Sequence, residues 1–249
     1  GTVTLNILLD DVRVGDVLDY SYTKFGMNPV YGGNFSYYRG LNWSVPVHEQ
    51  FMRVLWGKST PLSIELKNYD VPINRTDDNG FIDYEIHQKN IQPLNISNQT
   101  PDWYDAYGYV FFNEAQGWAD VVSWAEPMYR FEELDPEIVA IAKDIKSRTS
   151  NLDVQVVEAL KYAQNEIRYV GLEMGQNSHL PTSPLETLRL KYGDCKDKAV
   201  FFIAILRALG IDAFPALVNT EDGKSLIDLP AGVNRFDHVI TTLTLNDRQ

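Results

Sequence analysis

The chain has 249 residues, 44% of them hydrophobic, which is length and apolar content enough for two domains with real cores. A formal net charge of −12 and a sequence pI near 4.7 argue against a nucleic-acid partner, because phosphate binding needs a basic face. One cysteine excludes an internal disulfide and any multi-cysteine metal site; no apolar run is long enough to span a membrane, and the sequence opens without a signal peptide.

The acidity is uneven, with 18 acids against 9 bases through Glu133 and 16 against 13 after it. In the first part Val3, Leu5, Ile7 and Leu9 alternate as in a strand, Gly15-Asp16 marks a turn, and Leu18, Tyr20 and Tyr22 predict a second strand with an aromatic face. Met52, Val54 and Trp56 alternate again, as do Leu62, Ile64 and Leu66, and the aromatic run from Tyr107 to Phe112 reads as another strand. Asp77-Asp78-Asn79-Gly80, Pro93 and Pro101-Asp102 supply turns between them. Residues 1–133 therefore read as an antiparallel all-β, sandwich-like domain. Its tyrosines and tryptophans are better explained as strand and core residues than as platforms for sugar rings. The five Asn-x-Ser/Thr matches, at Asn34, Asn42, Asn74, Asn95 and Asn98, read as chance in an Asn-rich segment.

The composition then changes. Asp135-Pro136-Glu137 combines an N-cap, a proline at the first helical position and an early acid, and Ile138, Ile141 and Ile145 follow on one face. A second helix from near Asp153 carries Val156, Leu160, Ala163 and Ile167 at helical spacing. Ser183-Pro184-Leu185-Glu186 is a capping box for a short helix running to Leu190.

Cys195 opens the next helix, whose apolar positions Ala199, Phe202, Ile203, Leu206 and Leu209 end at Gly210. At a helix N-terminus the free N–H groups and the dipole favour thiolate; Lys196 and Lys198 act in the same direction, and Asp194 and Asp197 oppose them. Residues 213–218 read as a strand, residues 219–234 as a polar loop overhanging a cleft, and residues 236–245 as a β-branched strand with His238 near its start. Residues 134–249 thus read as an α+β core in which a helix-borne Cys195 and a strand-borne His238 supply nucleophile and base. His48, His87 and His179 lie in less informative contexts. His179, Cys195 and His238 lack ligand-like spacing, so no metal and no cofactor is expected.

Gly193-Asp194-Cys195-Lys196-Asp197-Lys198, with Ile167-Arg168-Tyr169-Val170-Gly171 before it and Asp237-His238-Val239 after it, resembles the core of bacterial transglutaminase-like, papain-like thiol enzymes. Val12 to Tyr20 resembles the domain of unknown function that precedes this core in exported bacterial proteins. The resemblance implies acyl transfer on amide or peptide bonds through a Cys195–His238 dyad and a thioester, by a protease, amidase or transglutaminase. It implies a peptide, protein or peptidoglycan-like amide substrate and export to the periplasm or cell surface. An upstream aromatic or amide side chain would complete the oxyanion hole beside the Cys195 N–H, with Tyr169 and Gln176 as candidates.

In the related proteins the third triad residue lies on the strand after the histidine strand, so it is expected not to be in this chain, and the core is expected to be incomplete at its C-terminal end. Asp247 falls too far along and Asp237 points to the opposite face. The alternative is a catalytically silent module that binds a peptide or glycan. The sequence does not choose between hydrolase and transglutaminase, nor give the oligomeric state.

Overall fold

The computed structural model describes residues 6–57, 59–101, 104–131, 133–171 and 173–245. Its N-terminal half holds six strands: β1 (Ser36–Gly40), β2 (Val47–Trp56), β3 (Ser63–Lys67), β4 (Asn74–Asp78), β5 (Phe81–Ile91) and β6 (Tyr109–Asn113). They form two antiparallel three-stranded sheets, ordered β1-β6-β3 and β2-β5-β4. Asn79 and Gly80 take φ of 49° and 85° between β4 and β5, the doubly positive turn that matches strand twist in a tight hairpin.

Period-two patterning puts Met52 and Val54 inside, while Phe51 and Leu55 face out. Inward residues of both sheets meet at Leu41, Val71, Ile86, Val110 and Phe112, so the half is a sandwich, as the patterning predicts. Each of these side chains contributes roughly 1.5–3 kcal/mol on leaving water.

Two expectations for this half fail. Ile7, Leu9, Leu18, Tyr20 and Tyr22 are exposed and lie in no strand, and Val3 and Leu5 fall outside the described residues. Alternation supplies a face, but a strand also needs a partner, and neither sheet pairs with this segment. The region also holds an unforeseen helix, α1 (Trp118–Tyr129), which buries Val121, Ala125 and Tyr129 against the C-terminal half.

That half contains α2 (Pro136–Arg148), α3 (Leu152–Glu166), β7 (Arg168–Tyr169), α4 (Pro184–Leu190), β8 (Tyr192–Gly193), α5 (Cys195–Leu209), β9 (Ala213–Val218) and β10 (His238–Leu243). The caps are those predicted: Asp135 accepts from the Glu137 N–H, Ser183 from the Glu186 N–H, and Gly210 closes α5 at φ 84°. α5 is the axis. Phe201, Ile203, Ala204, Ile205 and Leu206 are almost wholly buried, with α2, α3 and α4 against it and the antiparallel β9–β10 pair on another side.

On α3, Ala163 and Ile167 are buried and Val156 packs against the core as the spacing predicts, whereas Leu160 is partly exposed and Gln155 and Ala159 are buried beside them. Small alanines let α3 approach α5 closely, and the Gln155 amide nitrogen donates to the Thr149 carbonyl at 2.8 Å. The loop from residue 219 to 237 does not hang free over a cleft. It lies on the sandwich, because the Asn234 amide and the Arg235 guanidinium find partners there.

Candidate functional site: the N-terminus of helix α5

Asp194 caps α5, accepting the Lys196 N–H, while Asp197 reaches back to accept the Asp194 N–H at 3.0 Å and the Thr182 N–H at 2.7 Å. Asp197 is thus a structural anchor as well as an acid in the first turn. The fold of its side chain explains the glycine before the cap, since a Cβ on Gly193 would lie 2.6 Å from the Asp197 Cβ. Lys196 and Asp194 form a buried ion pair, and Lys198 donates to the Ile167 carbonyl. Parallel pairing of β7 with β8 then brings Tyr169 beside Gly193, next to the cap.

Cys195 is half-buried. The Val239 N–H of β10 acts on its thiol and favours the anion, and the Cys195 N–H acts in the same way on the Tyr169 hydroxyl. Burial pushes the thiol above its ordinary value; Asp194 and Glu173 add to that, and the Val239 N–H and Lys196 oppose it. The same proximity of Cys195, with burial foremost, raises the Tyr129 and Tyr169 hydroxyls. This direction is opposite to that of a ready thiolate: burial is the largest cause, and the Lys196 charge is already matched by Asp194.

His238 is the first residue of β10, paired with Val218, and stands one residue before Val239, whose N–H favours the thiolate. Val239 packs toward α5 with Tyr129, Ala199 and Val200, so strand alternation turns His238 to the other face at the strand's beginning. Among the described hydrogen bonds, none joins the imidazole to Cys195.

The remaining sequence candidates separate. His48 is exposed, and His87 bonds Glu49 at 2.6 Å on the sandwich. Gln176 is exposed and contributes only its carbonyl, which accepts from the His179 and Leu180 N–H groups. Asp237 accepts from the Thr220 N–H and hydroxyl, and Asp247 lies outside the described residues.

His179 is closer to the site than its sequence context suggested. Its ring stands 5.5 Å from Tyr31 and 5.3 Å from Trp124, Nδ1 lies 2.9 Å from the Ser178 hydroxyl, and Nε2 is buried without a partner. Burial, then the Lys196 charge, hold its pKa below the ordinary histidine value. The Tyr129 hydroxyl donates to the His179 carbonyl at 3.1 Å. Tyr129, Glu173 and His179 had no motif to announce them; the stripe Val121, Ala125, Tyr129 was the one available signal. No group of His, Cys, Asp and Glu among the described residues is arranged to hold a metal ion.

Residues 1–95 match DUF3857, a domain of unknown function, and residues 139–241 match the transglutaminase-like superfamily. No curated protein matches the chain. A solved structure from Parabacteroides distasonis ATCC 8503, described as a candidate protease, superposes with a TM-score of 0.70 at 16% identity, over 88% of this chain and 42% of that one. The chain thus spans less than half the length of that protein, and the likeness is one of fold.

A candidate cysteine protease from Cytophaga hutchinsonii has 13% identity and a TM-score of 0.36, over 86% of this chain and 71% of that one. The periplasmic domain of TgpA from Pseudomonas aeruginosa has 14% identity and a TM-score of 0.34, over 84% and 69%. At those scores neither adds to the fold assignment. Among the described residues no helix is long and apolar enough to cross a membrane. The two family matches, lying in order along one chain over the sandwich and the α5 core, show that this protein joins a DUF3857 domain to a domain of the transglutaminase-like superfamily.

Proposed function

We propose that the protein is a thiol-dependent acyl-transfer enzyme acting on amide or peptide bonds, with Cys195 as nucleophile and His238 as base. The observation that carries this is the packing of β10 on the first turns of α5, where Val239 clusters with Ala199 and Val200 and the Thr241 hydroxyl donates to the Ala199 carbonyl at 3.4 Å, so the His238 strand runs beside the helix that the thiol opens. Because burial disfavours the thiolate, the thiol proton leaves as sulfur attacks, so His238 works by general-base catalysis rather than as half of a preformed ion pair. The reading requires the His238 imidazole, which strand alternation turns to the other face, to swing past the beginning of β10 to reach Cys195.

Sulfur bonds to the carbonyl carbon, the thiol proton passes to His238, and His238 returns it to the departing amine, leaving a thioester. Water or a second amine then resolves the thioester. The developing oxyanion takes the Cys195 N–H, and the Tyr169 hydroxyl beside it becomes the neighbouring donor.

The reading assigns the two reacting side chains to residues 134–249 and neither to residues 1–133. Its substrate is a peptide, protein or peptidoglycan-like amide, and export to the periplasm or cell surface belongs to the same proposal, on the family resemblance alone. A silent binding module is the competing reading, favoured by the raised thiol. Amine release from a peptide amide or a glutamine-containing peptide decides between them. Turnover is expected in the native chain, no turnover in Cys195→Ala, and a loss of about 10²–10⁴-fold in His238→Ala; no turnover in the native chain supports the silent module.

A further inference from the structure

The segment between β9 and β10 is long and polar, a kind of loop that stays loose unless something holds it. Here both ends are tied. The Asn219 side chain accepts the Glu221 N–H at 2.9 Å and donates to the Arg235 carbonyl at 2.7 Å. Across from it, Asp237 accepts the Thr220 N–H at 2.9 Å and the Thr220 hydroxyl at 2.7 Å.

The middle of the segment is held by the other domain. The Ser36 hydroxyl on β1 lies 2.5 Å from Asn234 Oδ1, and the approach at Gly232 is so close that a Cβ would stand 2.7 Å from that hydroxyl. Leu229 and Val233 are buried. The guanidinium of Arg235 is centred 4.4 Å from the Phe111 ring and 5.5 Å from the Tyr38 ring. Tyr38 and Phe111 are register partners on β1 and β6, on the face opposite the sandwich core.

Arg235 is 5% exposed and takes part in no ion pair among the described residues. Its Nε donates to the Pro230 carbonyl at 3.1 Å, and one terminal nitrogen is buried without a partner among the described residues. A desolvated cation with one unmet donor is costly to place, and the two aromatic faces are what compensate it. Three residues further on is His238. Extended chain reaches only about 3.3–3.6 Å per residue, so fixing Arg235 fixes where β10 begins.

We propose that Arg235 is a positioning residue for His238, and that the N-terminal sandwich acts on the chemistry by clamping this strap through Phe111, Tyr38 and Ser36. The inference rests on the reading of His238 as base. It gives the sandwich a role without giving it a reacting group.

Acylation of Cys195 by p-nitrophenyl acetate over a pH series tests it, in the native chain, Arg235→Ala, Arg235→Lys, His238→Ala and the Arg235→Ala/His238→Ala double variant. The native chain should show base-assisted acylation at neutral pH that His238→Ala lacks. Arg235→Ala should lose about tenfold or more and take on the pH profile of His238→Ala, with its circular dichroism unchanged. Arg235→Lys, which keeps the charge and loses the planar stack, should recover only part of the loss. The double variant should be no slower than His238→Ala, because a residue that acts through His238 has nothing left to act on.

An Arg235→Ala profile identical to the native one overturns the inference, as does an equal loss in both backgrounds. Should Arg235→Ala not fold, Ser36→Ala loosens the same clamp from the other side and is held to the same non-additivity. If His238→Ala itself leaves acylation unchanged, the dyad fails first, and that outcome is distinct from an effect of His238 without one of Arg235.

Discussion

The chemistry of Cys195 depends on where the charges around it are already engaged. Lys196 would favour a thiolate, but it is buried against Asp194, and Asp194 itself opposes ionisation of the sulfur. Burial adds to the opposition, and the Val239 N–H is the chief group that favours the anion. The net direction is upward, so in His238→Ala, with the base removed, alkylation of Cys195 by iodoacetamide should titrate above the ordinary thiol value of 9.0. A midpoint below that value would show that the helix terminus outweighs desolvation, and the general-base step would give way to a preformed ion pair.

At the scale of elements, the start of α5 is a closed unit of Gly193, Asp194 and Asp197. In Gly193→Ala the new methyl meets the Asp197 side chain at 2.6–2.9 Å and drives it off the Asp194 N–H. Overpacking together with a lost capping bond should cost about 1–3 kcal/mol in urea unfolding. A change within a few tenths of a kcal/mol would mean that Asp197 relaxes freely and anchors nothing.

The sequence made this unit legible because each of its signals is local: cap residue, returning acid, apolar spacing and terminal glycine. α1 gave no such signal, since Gly117 offers no capping side chain and Pro127 sits inside the helix. The burial of Gln155 and Ala159 rather than Leu160 on α3 was hidden for another reason, because alanine against α5 competes with larger apolar residues, and only packing decides between them. Leu18, Tyr20 and Tyr22 carry a strand pattern without pairing, and pairing is not a property of the segment.

At the scale of the whole molecule, the two halves are joined on two sides. One junction is the strap on the sheet of β1, β6 and β3. The other is the turn Pro29–Tyr31, where Asn28 donates to the Gly175 carbonyl at 2.7 Å and the Ser178 hydroxyl at 2.8 Å, and Tyr31 and Trp124 enclose His179. Neither junction could be read from one segment, since each pairs residues far apart in sequence, such as Arg235 with Phe111. That is also why the Cys195 motif and the His238 strand were found while Tyr129 and His179 were not.

His179 makes the second junction sensitive to acid. Its pKa is depressed in the fold, so the unfolded chain binds the proton more readily, and stability is full above the ordinary value and lost as pH falls through the folded one. Urea unfolding should show stability falling as pH drops below the ordinary histidine value of 6.5, and His179→Asn should flatten that fall. An unchanged slope in that variant would place the acid sensitivity elsewhere.

The most direct test of the Cys195–His238 account is the intact mass of the protein after rapid mixing with a peptide amide at neutral pH and acid quench. The account predicts an acyl adduct on Cys195, labile to hydroxylamine as a thioester is, that forms far more slowly in His238→Ala and not at all in Cys195→Ala. An adduct that forms at the same rate without His238, or no adduct in the native chain, would contradict it.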